Sequence, residues 1–341
     1  MSKKNIILGI ESSCDDTSAA VISDGYILSN IVAGQKVHEK YGGVVPELAS
    51  RAHQQNIIPV VDTALKEAGI QKEDLSAIAF TQGPGLLGSL LVGSSFSKSF
   101  ALGMNIPLIA VNHMQGHIMA HFIKQKGEEN KQPIFPFLCL TVSGGHTQIV
   151  LVKSAEDMTV IGETLDDAAG EAFDKSAKIL GLPYPGGPLI DKYGEKGDKL
   201  KFIFGRHKVG ELNFSYSGIK TSILRVIEKG VAENPNFITE NQNDLCASIQ
   251  HTIVDILIKK IMKASKEFGV NEVAIAGGVS ANSYLRERLL ELESNYNKQV
   301  FIPKFEYCTD NAAMIAISGY YKFLKGDFSD QSVTPKSRFA L

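Results

Sequence analysis

The chain has 341 residues, enough for two domains with substantial cores, and its 44% hydrophobic and 21% charged residues are typical of an ordinary globular protein. A formal net charge of −2 excludes a general basic field, so any contact with nucleic acid must come from a local patch. The four cysteines lie far apart without a C-x-x-C pair, which argues against a disulfide framework or a cysteine-based zinc site.

The first predicted element is a hairpin. Residues 5–10 form an apolar strand, and a second strand ends near Ile22 after a short polar turn. Asp15 and Asp16 lie in that turn, where they can coordinate a metal, hold a base or merely shape the turn. No signal-peptide core precedes the strand, and no apolar run approaches the ~20 residues of a membrane span, so we expect a cytoplasmic protein with no membrane partner.

A helix, two strands and a second helix are predicted next. Residues 46–65 are predicted to be helical, with a kink or break at Pro59. A strand at 75–80 leads through a glycine-rich turn into a helix at 89–102, and a strand follows at 106–111. Because ligands collect at the carboxyl ends of strands in open α/β sheets, the residues after this last strand are candidates for a site.

Two histidines follow that strand, four residues apart. On a helix, His113 and His117 lie on one face about one turn apart and can bind a single metal ion. The zinc-protease motif with this spacing has a glutamate where this chain has Met114, so a metal here is suited to polarising or orienting a ligand rather than to activating water. The alternative is a pair of packed or solvated helix histidines. His121 continues the same face as a third ligand or a bystander.

Residues 137–152 repeat the plan of the first hairpin, with two apolar strands joined by a turn of serine, glycine and short polar residues. The repeat predicts a duplicated domain with a cleft between the halves. In that cleft, two turns rich in backbone N–H groups can clamp a phosphate chain. The alternative is two unrelated hairpins.

The rest of the chain is predicted to alternate helices with loops and glycine-rich turns. The predicted elements are helices at 166–180 and 245–266, a strand at 272–276, a turn at 277–282 into another helix, and loops at 126–134 and 230–243. Neither a Walker A loop nor a G-x-G-x-x-G fingerprint is present, so any phosphate is expected to be bound by the hairpin turns. No activated nucleophile is recognisable either, which favours direct group transfer over a covalent intermediate.

Four polar residues of this region are candidates for a site. Asp174 and Asp191 can accept hydrogen bonds from ribose hydroxyls, or they are surface carboxylates on helices. Asn282 can bind a base or a ribose, or it caps its helix. Asp310 completes a two-histidine, one-carboxylate metal site, or it is a helix N-cap.

A basic stretch interleaved with aromatic residues is the best candidate for contact with RNA, although a solvated surface explains it equally well. It comprises Lys199, Lys201, Arg206, Lys208, Lys220 and Arg225, with Phe202, Phe204, Phe214 and Tyr216.

Taken together, seven segments resemble a known family. They are GIESSCDDT at 9–17, YGGVVPELASRAH at 41–53, NHMQGH at 112–117, VSGGHT at 142–147, DDAAGEAFDK at 166–175, YPGGP at 184–188 and GGVSAN at 277–282. In this order they resemble the bacterial TsaD (Gcp/YgjD) branch of the universal Kae/Qri family, over about residues 6–320. The resemblance implies an α/β fold of two duplicated actin/Hsp70/sugar-kinase-like (ASKHA) domains around a nucleotide cleft. It places residues 1–115 and about 320–341 in an N-terminal lobe, and 116–319 in a second lobe with most of the nucleotide site.

The resemblance also implies an activity. The family moves a threonylcarbamoyl group from threonylcarbamoyl-AMP to N6 of the adenosine just 3′ of the anticodon, in tRNAs that read codons starting with A. A metal-assisted direct transfer with release of AMP is the expected chemistry.

The positions that match the family's functional residues fall into three groups. The metal ligands are His113, His117 and Asp310; the substrate-binding residues are Thr141, Val142, Ser143, Gly144, Gly145, Asp174, Gly187, Asp191 and Asn282; and Asp15 and Asp16 match an acidic pair important for activity. His121 is left out because relatives need not carry it. The resemblance implies one divalent metal ion, with Fe2+ favoured over Zn2+.

The implied partners are tRNA, a TsaB-like paralogue and a TsaE-like ATPase. Three alternatives remain open at this point: a metallopeptidase, which is an old label of the family, a sugar-kinase-type ATPase, and a nucleotide-dependent regulatory scaffold.

Overall fold

The computed structural model is mixed α/β and describes residues 4–41, 43–205 and 209–341. Its strands are β1 (Ile6–Glu11), β2 (Thr17–Ser23), β3 (Tyr26–Ala33), β4 (Ala77–Gly83), β5 (Leu108–Asn112), β6 (Phe137–Val142), β7 (Thr147–Val152), β8 (Met158–Glu163), β9 (Glu272–Ala276) and β10 (Gln299–Phe301). Its α-helices are α1 (Pro46–Ala68), α2 (Leu87–Met104), α3 (His113–Met119), α4 (Ala169–Ile179), α5 (Gly187–Gly194), α6 (Ser217–Glu233), α7 (Phe237–Glu240), α8 (Gln242–Phe268), α9 (Ser283–Tyr296) and α10 (Ala312–Lys325). Short 3-10 helices cover Lys36–Tyr41, Lys72–Asp74, Ala120–Phe122, Gly278–Ala281 and Phe305–Tyr307. None of the described helices is long and apolar enough to cross a bilayer.

The chain divides into two compact units. The first unit contains Met1–Pro133 and Pro303–Leu341, and the second contains Ile134–Ile302. The sequence-based boundaries at 115 and about 320 differ from these. The difference arises because α3 and α10 pack against each other and α10 packs against β1, so all three belong to one unit.

A five-stranded sheet forms the centre of the first unit, in the order β3-β2-β1-β4-β5. The β1–β2 and β2–β3 pairs are antiparallel, whereas β1–β4 and β4–β5 are parallel. Every residue of β1 and β2 is buried, as expected for strands covered on both faces. Gly9 lets α10 approach β1 closely, because a Cβ there would lie 2.5 Å from the carbonyl oxygen of Ala312.

Helix α1 continues through Pro59, so of the two predicted alternatives the break is wrong. The ring lies on the exposed side of the helix. Four apolar side chains of the same helix, Ile57, Val60, Val61 and Ala64, are buried against the sheet and hold the helix on either side of the proline. Packing therefore outweighs the backbone hydrogen bond that the proline removes.

The second unit repeats the topology of the first. Its sheet has the order β10-β9-β6-β7-β8, in which β6 corresponds to β1. The β6–β7 and β7–β8 pairs are antiparallel and the β6–β9 and β9–β10 pairs are parallel, as in the first sheet. The two hairpins that the sequence predicted are thus equivalent strands of two duplicated sheets.

The predicted loop at 230–243 is wrong, because α6, α7 and α8 cover most of it. Gly230 lies against the ring of Phe237, since a Cβ there would be 2.5 Å from ring atoms. This contact folds α6 onto α7. The Asn and Glu residues that suggested a loop are all exposed or partly exposed.

Residues 327–341, which we call the C-terminal strap, contact β5 from its first residue to its last and also bind the carboxyl end of β4. The backbone N–H of Ser329 donates to the carbonyl of Leu108 (2.8 Å), and that of Lys336 donates to the carbonyl of Gln82 (2.7 Å). Near the end of the strap, the carbonyl of Ala340 accepts a hydrogen bond from Nδ2 of Asn112 (3.0 Å). The strap therefore ends against the residue that precedes His113.

Candidate metal and nucleotide sites

The two histidines of the first unit lie on a helix, as predicted. Helix α3 starts at His113 directly after β5, and the side chain of Asn112 caps it by accepting hydrogen bonds from the N–H groups of Met114 (2.9 Å) and Gln115 (3.2 Å). The imidazole rings of His113 and His117 are perpendicular, with centroids 4.7 Å apart. Both side chains are almost fully buried.

Asp310 joins this pair from a distant part of the sequence. Its Oδ1 lies 3.4 Å from Nε2 of His113 and 3.1 Å from Nε2 of His117. The potential ligand atoms of the three residues all lie within 4.8 Å of one another. The N-cap of α10 is Asn311, whose side chain accepts from the N–H of Met314, so the alternative of Asp310 as the N-cap is wrong.

The electrostatics of this cluster favour a cation. Burial alone would raise the pKa of the Asp310 carboxyl, but attraction from His113 and hydrogen bonds with both histidines hold it well below its usual range. Burial likewise opposes charge on His113, yet attraction from Asp310 and Glu11 raises the pKa of its imidazole well above the ordinary value. One buried and one partly buried carboxylate next to the same imidazole therefore make this a site that favours positive charge.

The donor set fits a divalent transition metal. Two imidazoles and one carboxylate are the ligands that Fe2+ and Zn2+ accept, and such a set leaves positions open for a substrate. Within the described part of the chain, Nδ1 of His117 is buried and has no hydrogen-bond partner. His121 lies in the following 3-10 helix and is outside the three-residue cluster.

The acidic turn between β1 and β2 belongs to the same unit. Burial raises the pKa of Asp16 to about 7, and the negative charges of Asp15, Asp310 and Glu11 add to the effect. Glu11, which the sequence analysis did not select, is fully buried next to His113. Its position at the end of a wholly apolar strand was the signal that could have identified it, because a carboxylate there needs buried partners.

A prediction concerns the contact between Asn112 and the C-terminal strap. Replacing Asn112 by aspartate keeps the oxygen that caps α3 but removes the donor to Ala340, and it places a carboxylate against that carbonyl. Ala340 is exposed, so the expected loss is the net contribution of one hydrogen bond, about 0.5–1.5 kcal/mol. We expect the amides of residues 336–340 to exchange with solvent about three- to tenfold faster. Hydrogen-exchange mass spectrometry tests this, and unchanged protection of the strap would contradict it.

The second unit contains a cavity of about 340 Å³ lined by glycines, apolar side chains and three polar residues. Five of the predicted substrate-binding residues line it, namely Gly144, Asp174, Gly187, Asp191 and Asn282. The other four are outside its lining: Thr141 and Val142 are buried within β6, while Ser143 and Gly145 belong to the turn that follows. Gly278, which belongs to the turn after β9, lines another side of the cavity.

Three polar residues of the cavity also organise its walls. Oδ1 of Asp174 accepts hydrogen bonds from the N–H groups of Gly186 (2.8 Å) and Gly187 (3.1 Å). Asp191 accepts from the backbone N–H of Ser283 (2.9 Å), and Asn282 caps α9 by accepting from Leu285. No donor of the described residues reaches Oδ2 of Asp174. The structural and ligand-binding interpretations of these residues are therefore compatible.

The basic stretch is not the aromatic-interleaved RNA surface that the sequence suggested. Phe204, Phe214 and Tyr216 are buried in the core of the second unit and cannot stack on bases. Lys201 forms an ion pair with Asp244 (2.6 Å). Lys199 lies 5.1 Å from the ring centroid of Tyr284. Arg206 and Lys208 lie outside the described residues, and Lys220 and Arg225 are exposed on α6.

Comparison with known proteins gives consistent results. The family model of TsaD, described as tRNA N6-adenosine threonylcarbamoyltransferase, matches residues 26–317. A protein of that name from Christiangramia forsetii is 63% identical over 333 residues, which cover 98% of this chain and 97% of the relative. Another, from Porphyromonas gingivalis, is 58% identical over the full length of both chains.

Solved structures with low sequence identity share the fold. Full-length HypF in its phosphate- and nucleotide-bound form matches 96% of this chain and 48% of its own, with a TM-score of 0.62 and 14% identity. Component A of the (R)-2-hydroxyglutaryl-CoA dehydratase of Acidaminococcus fermentans matches 94% of this chain and 99% of its own, with a TM-score of 0.52 and 16% identity. The two duplicated sheets are thus those of the actin/Hsp70/sugar-kinase (ASKHA) fold.

Proposed function

The chain belongs to the TsaD family of tRNA N6-adenosine threonylcarbamoyltransferases, and from this premise we propose how its two sites divide the reaction. The enzyme transfers a threonylcarbamoyl group to N6 of the adenosine 3′ of the anticodon in tRNAs that read codons starting with A. The donor is threonylcarbamoyl-AMP. The observation that carries the proposal is the convergence of His113, His117 and Asp310. Asp310 is 193 residues from His117 in the sequence, yet the potential ligand atoms of the three residues lie within 4.8 Å of one another.

The cavity of the second unit binds the AMP part of the donor. Glycines 144, 187 and 278 allow the ligand to approach the backbone closely. Oδ2 of Asp174 is an acceptor suited to a ribose hydroxyl, and Asn282 supplies an amide. Asp191 lines the same cavity and can accept a further hydrogen bond beside those from Ser283 and Gln250. Thr141 and Val142 hold the turn after β6 in place, and Ser143 and Gly145 belong to that turn. The N–H of Ser143 donates to the carbonyl of His146 (2.8 Å), so the backbone N–H groups offered to an anion are those of Gly144 and Gly145.

His113, His117 and Asp310 hold one divalent ion, Fe2+ or Zn2+. When bound, the ion supplies Lewis-acid stabilisation of charge that develops on the carbamoyl oxygen. The ligands also limit the chemistry: Met114 follows His113, so no carboxylate at that position can activate water for peptide hydrolysis.

The reaction itself needs little more than positioning and proton removal. N6 of adenosine attacks the carbamoyl carbon, a C–N bond forms, and the C–O bond of the mixed anhydride breaks to release AMP. Because the donor is already activated, orientation accounts for much of the rate. Asp16 accepts the proton that N6 loses, since a carboxylate with a pKa of about 7 is a suitable base at neutral pH. Asp15 keeps that pKa high through its charge.

Replacing Asp16 by asparagine should reduce the transfer rate about 10²- to 10³-fold, the usual contribution of a general base. The wild-type rate should rise with pH through about 7 as Asp16 loses its proton, and this limb of the profile should vanish in the variant. Single-turnover rates measured from pH 5.5 to 8.5 test both statements. A variant that keeps the wild-type profile would exclude Asp16 as the base.

The same variant tests the pKa independently of activity. Because the pKa of Asp16 is raised by folding, the native state binds more protons than the unfolded state between about pH 4 and 7. The contribution of Asp16 to the free energy of unfolding therefore falls as pH rises through this window, and this contribution is missing in Asp16→Asn. We expect metal-free Asp16→Asn to be about 2 kcal/mol more stable than wild type at pH 8 and equal to it at pH 4. Urea denaturation at the two pH values measures this difference.

The protein is cytoplasmic and works with tRNA, a TsaB-like paralogue and a TsaE-like ATPase. The net charge of −2 fits this division of work, because a chain without a general basic field needs a local patch or a partner to hold tRNA.

The test is reconstitution. Purified protein, an adenylate-forming synthase, the two helper proteins and unmodified tRNA should produce threonylcarbamoyladenosine, detected by nucleoside mass spectrometry. Casein cleavage and ATP turnover by the protein alone test the peptidase and kinase alternatives. Peptide cleavage without nucleoside modification would overturn the proposed function.

A further inference from the structure

Glu11 is the last residue of β1 and is completely buried. A carboxylate without solvent must be held by hydrogen-bond donors or by positive charge, because an isolated buried charge is very costly. The two oxygens of Glu11 lie within hydrogen-bond distance of the backbone N–H of Ser13, the hydroxyl of Thr81 and Nδ1 of His113. Glu11 is therefore held as a carboxylate by donor groups, next to a predicted metal ligand.

Three donors surround the two oxygens of this carboxylate. Oε1 accepts a hydrogen bond from the backbone N–H of Ser13 (2.5 Å). Oε2 accepts one from the hydroxyl of Thr81 (2.5 Å) and lies 3.1 Å from Nδ1 of His113. Ser13 and Thr81 thus fix the carboxylate in one orientation, with Oε2 directed at the imidazole.

This arrangement decides which nitrogen of His113 carries the proton. An ionised carboxylate can only accept hydrogen bonds, so Nδ1 of His113 must be the N–H nitrogen in the neutral ring. The lone pair of the neutral imidazole is then on Nε2, which is the nitrogen that lies 3.4 Å from Oδ1 of Asp310. In His117, by contrast, Nδ1 has no hydrogen-bond partner in the described part of the chain.

We infer that Glu11 is a positioning residue for the metal site, because its carboxylate fixes the tautomer and the ring orientation of His113. The inference rests on the proposed assignment of His113 as a ligand. Partners of this kind keep the ligand nitrogen unprotonated and aligned, and their loss typically weakens metal binding 10- to 100-fold. Thr81 acts one step further out, by holding Oε2 in place.

The substitution Glu11→Gln tests the inference because it keeps the size of the side chain but provides one acceptor oxygen in place of two. The N–H groups of Ser13 and His113 must then compete for that oxygen, while the rotatable hydroxyl of Thr81 can accept from the new amide. We expect the dissociation constant for Zn2+ to rise about 10- to 100-fold. We also expect the Nδ1–H correlation of His113 in 15N–1H spectra of the Zn2+ protein to weaken or disappear.

A second pair of variants keeps the test independent of folding. Thr81→Val removes the hydroxyl with little change in shape and should weaken Zn2+ binding about threefold, whereas Thr81→Ser keeps the hydroxyl and should restore wild-type affinity. Thermal unfolding of the metal-free variants gives the fraction of folded protein in each sample. Each measured Zn2+ affinity is then corrected for that fraction.

The results separate this inference from the proposed function. If wild-type protein binds Zn2+ and Glu11→Gln binds it equally well with an unchanged His113 spectrum, the role of Glu11 is overturned while the metal site stands. A loss of binding in Glu11→Gln that is no larger than its loss of folded protein overturns the role in the same way. If wild-type protein binds no Zn2+, the proposed metal site and the role of Glu11 both fail.

Discussion

Replacing His117 by alanine should abolish formation of the modified nucleoside, with a fall in rate of at least about 10³-fold, the scale on which loss of a group that stabilises developing charge acts. The reason is loss of a metal ligand. His117 is a cleaner target than His113, because removal of His113 also takes away one of the three donors around the buried carboxylate of Glu11. The side chain of His117 contacts Asp310, which keeps its second partner in His113. Metal content and nucleoside formation are the measurements.

The matched control for this prediction is His121→Ala. His121 lies four residues further along and is outside the cluster that His113, His117 and Asp310 form. We expect this variant to retain its metal and at least half of its activity. A His117→Ala protein that still modifies tRNA at the wild-type rate would remove the metal from the mechanism. Equal losses in the two variants would instead indicate general damage to this segment.

Replacing Gly278 by valine should weaken AMP binding about 100-fold without affecting the fold. A Cβ at Gly278 would meet no atom within 4 Å, and its φ lies outside the left-handed region, so a side chain fits there at no cost to the protein. Gly278 also lines the cavity of the second unit, where the added methyl groups would occupy the ligand's volume. Steric overlap of this kind costs about 1–3 kcal/mol, and 2.7 kcal/mol corresponds to 100-fold. Isothermal titration with AMP measures the loss.

Gly210→Val is the control for that substitution. Gly210 is in the same unit, is exposed, and likewise has no atom within 4 Å of a built Cβ, but it does not line the cavity. Both variants should melt within about 2 °C of the wild type, since surface changes rarely alter stability by more than about 0.5 kcal/mol. Unchanged AMP affinity in Gly278→Val would place the nucleotide elsewhere.

The sequence predicted the two histidines of the metal site, which are close together in the sequence, but it offered the distant Asp310 only as one of two alternatives. His113 and His117 are related by the period of a helix, and the preceding apolar strand located that helix at the end of a sheet. Asp310 has no such relation to them. Its alternative as an N-cap was resolved only by the structure, in which Asn311 takes that role. Long-range proximity depends on how α10 packs, and a single sequence does not contain that information.

The errors have a common physical cause, which is that packing overrides local composition. Polar residues at 230–243 suggested a loop, yet the Gly230–Phe237 contact allows two helices to meet there. Aromatic residues between lysines suggested stacking on RNA, yet Phe214 and Tyr216 are core residues. Glu11 was missed for the opposite reason. The motif that contains it was used to recognise a family, and its place at the end of a buried strand was not considered.

The C-terminal strap has a practical consequence for anyone labelling this protein. A fluorescent protein or affinity tag joined after Leu341 begins two residues beyond Ala340, whose carbonyl accepts a hydrogen bond from Asn112, the N-cap of the histidine helix. We expect such a fusion to strain that contact and to lower the apparent affinity for metal in purified samples. Low occupancy measured on a C-terminally tagged preparation would then reflect the tag rather than the enzyme.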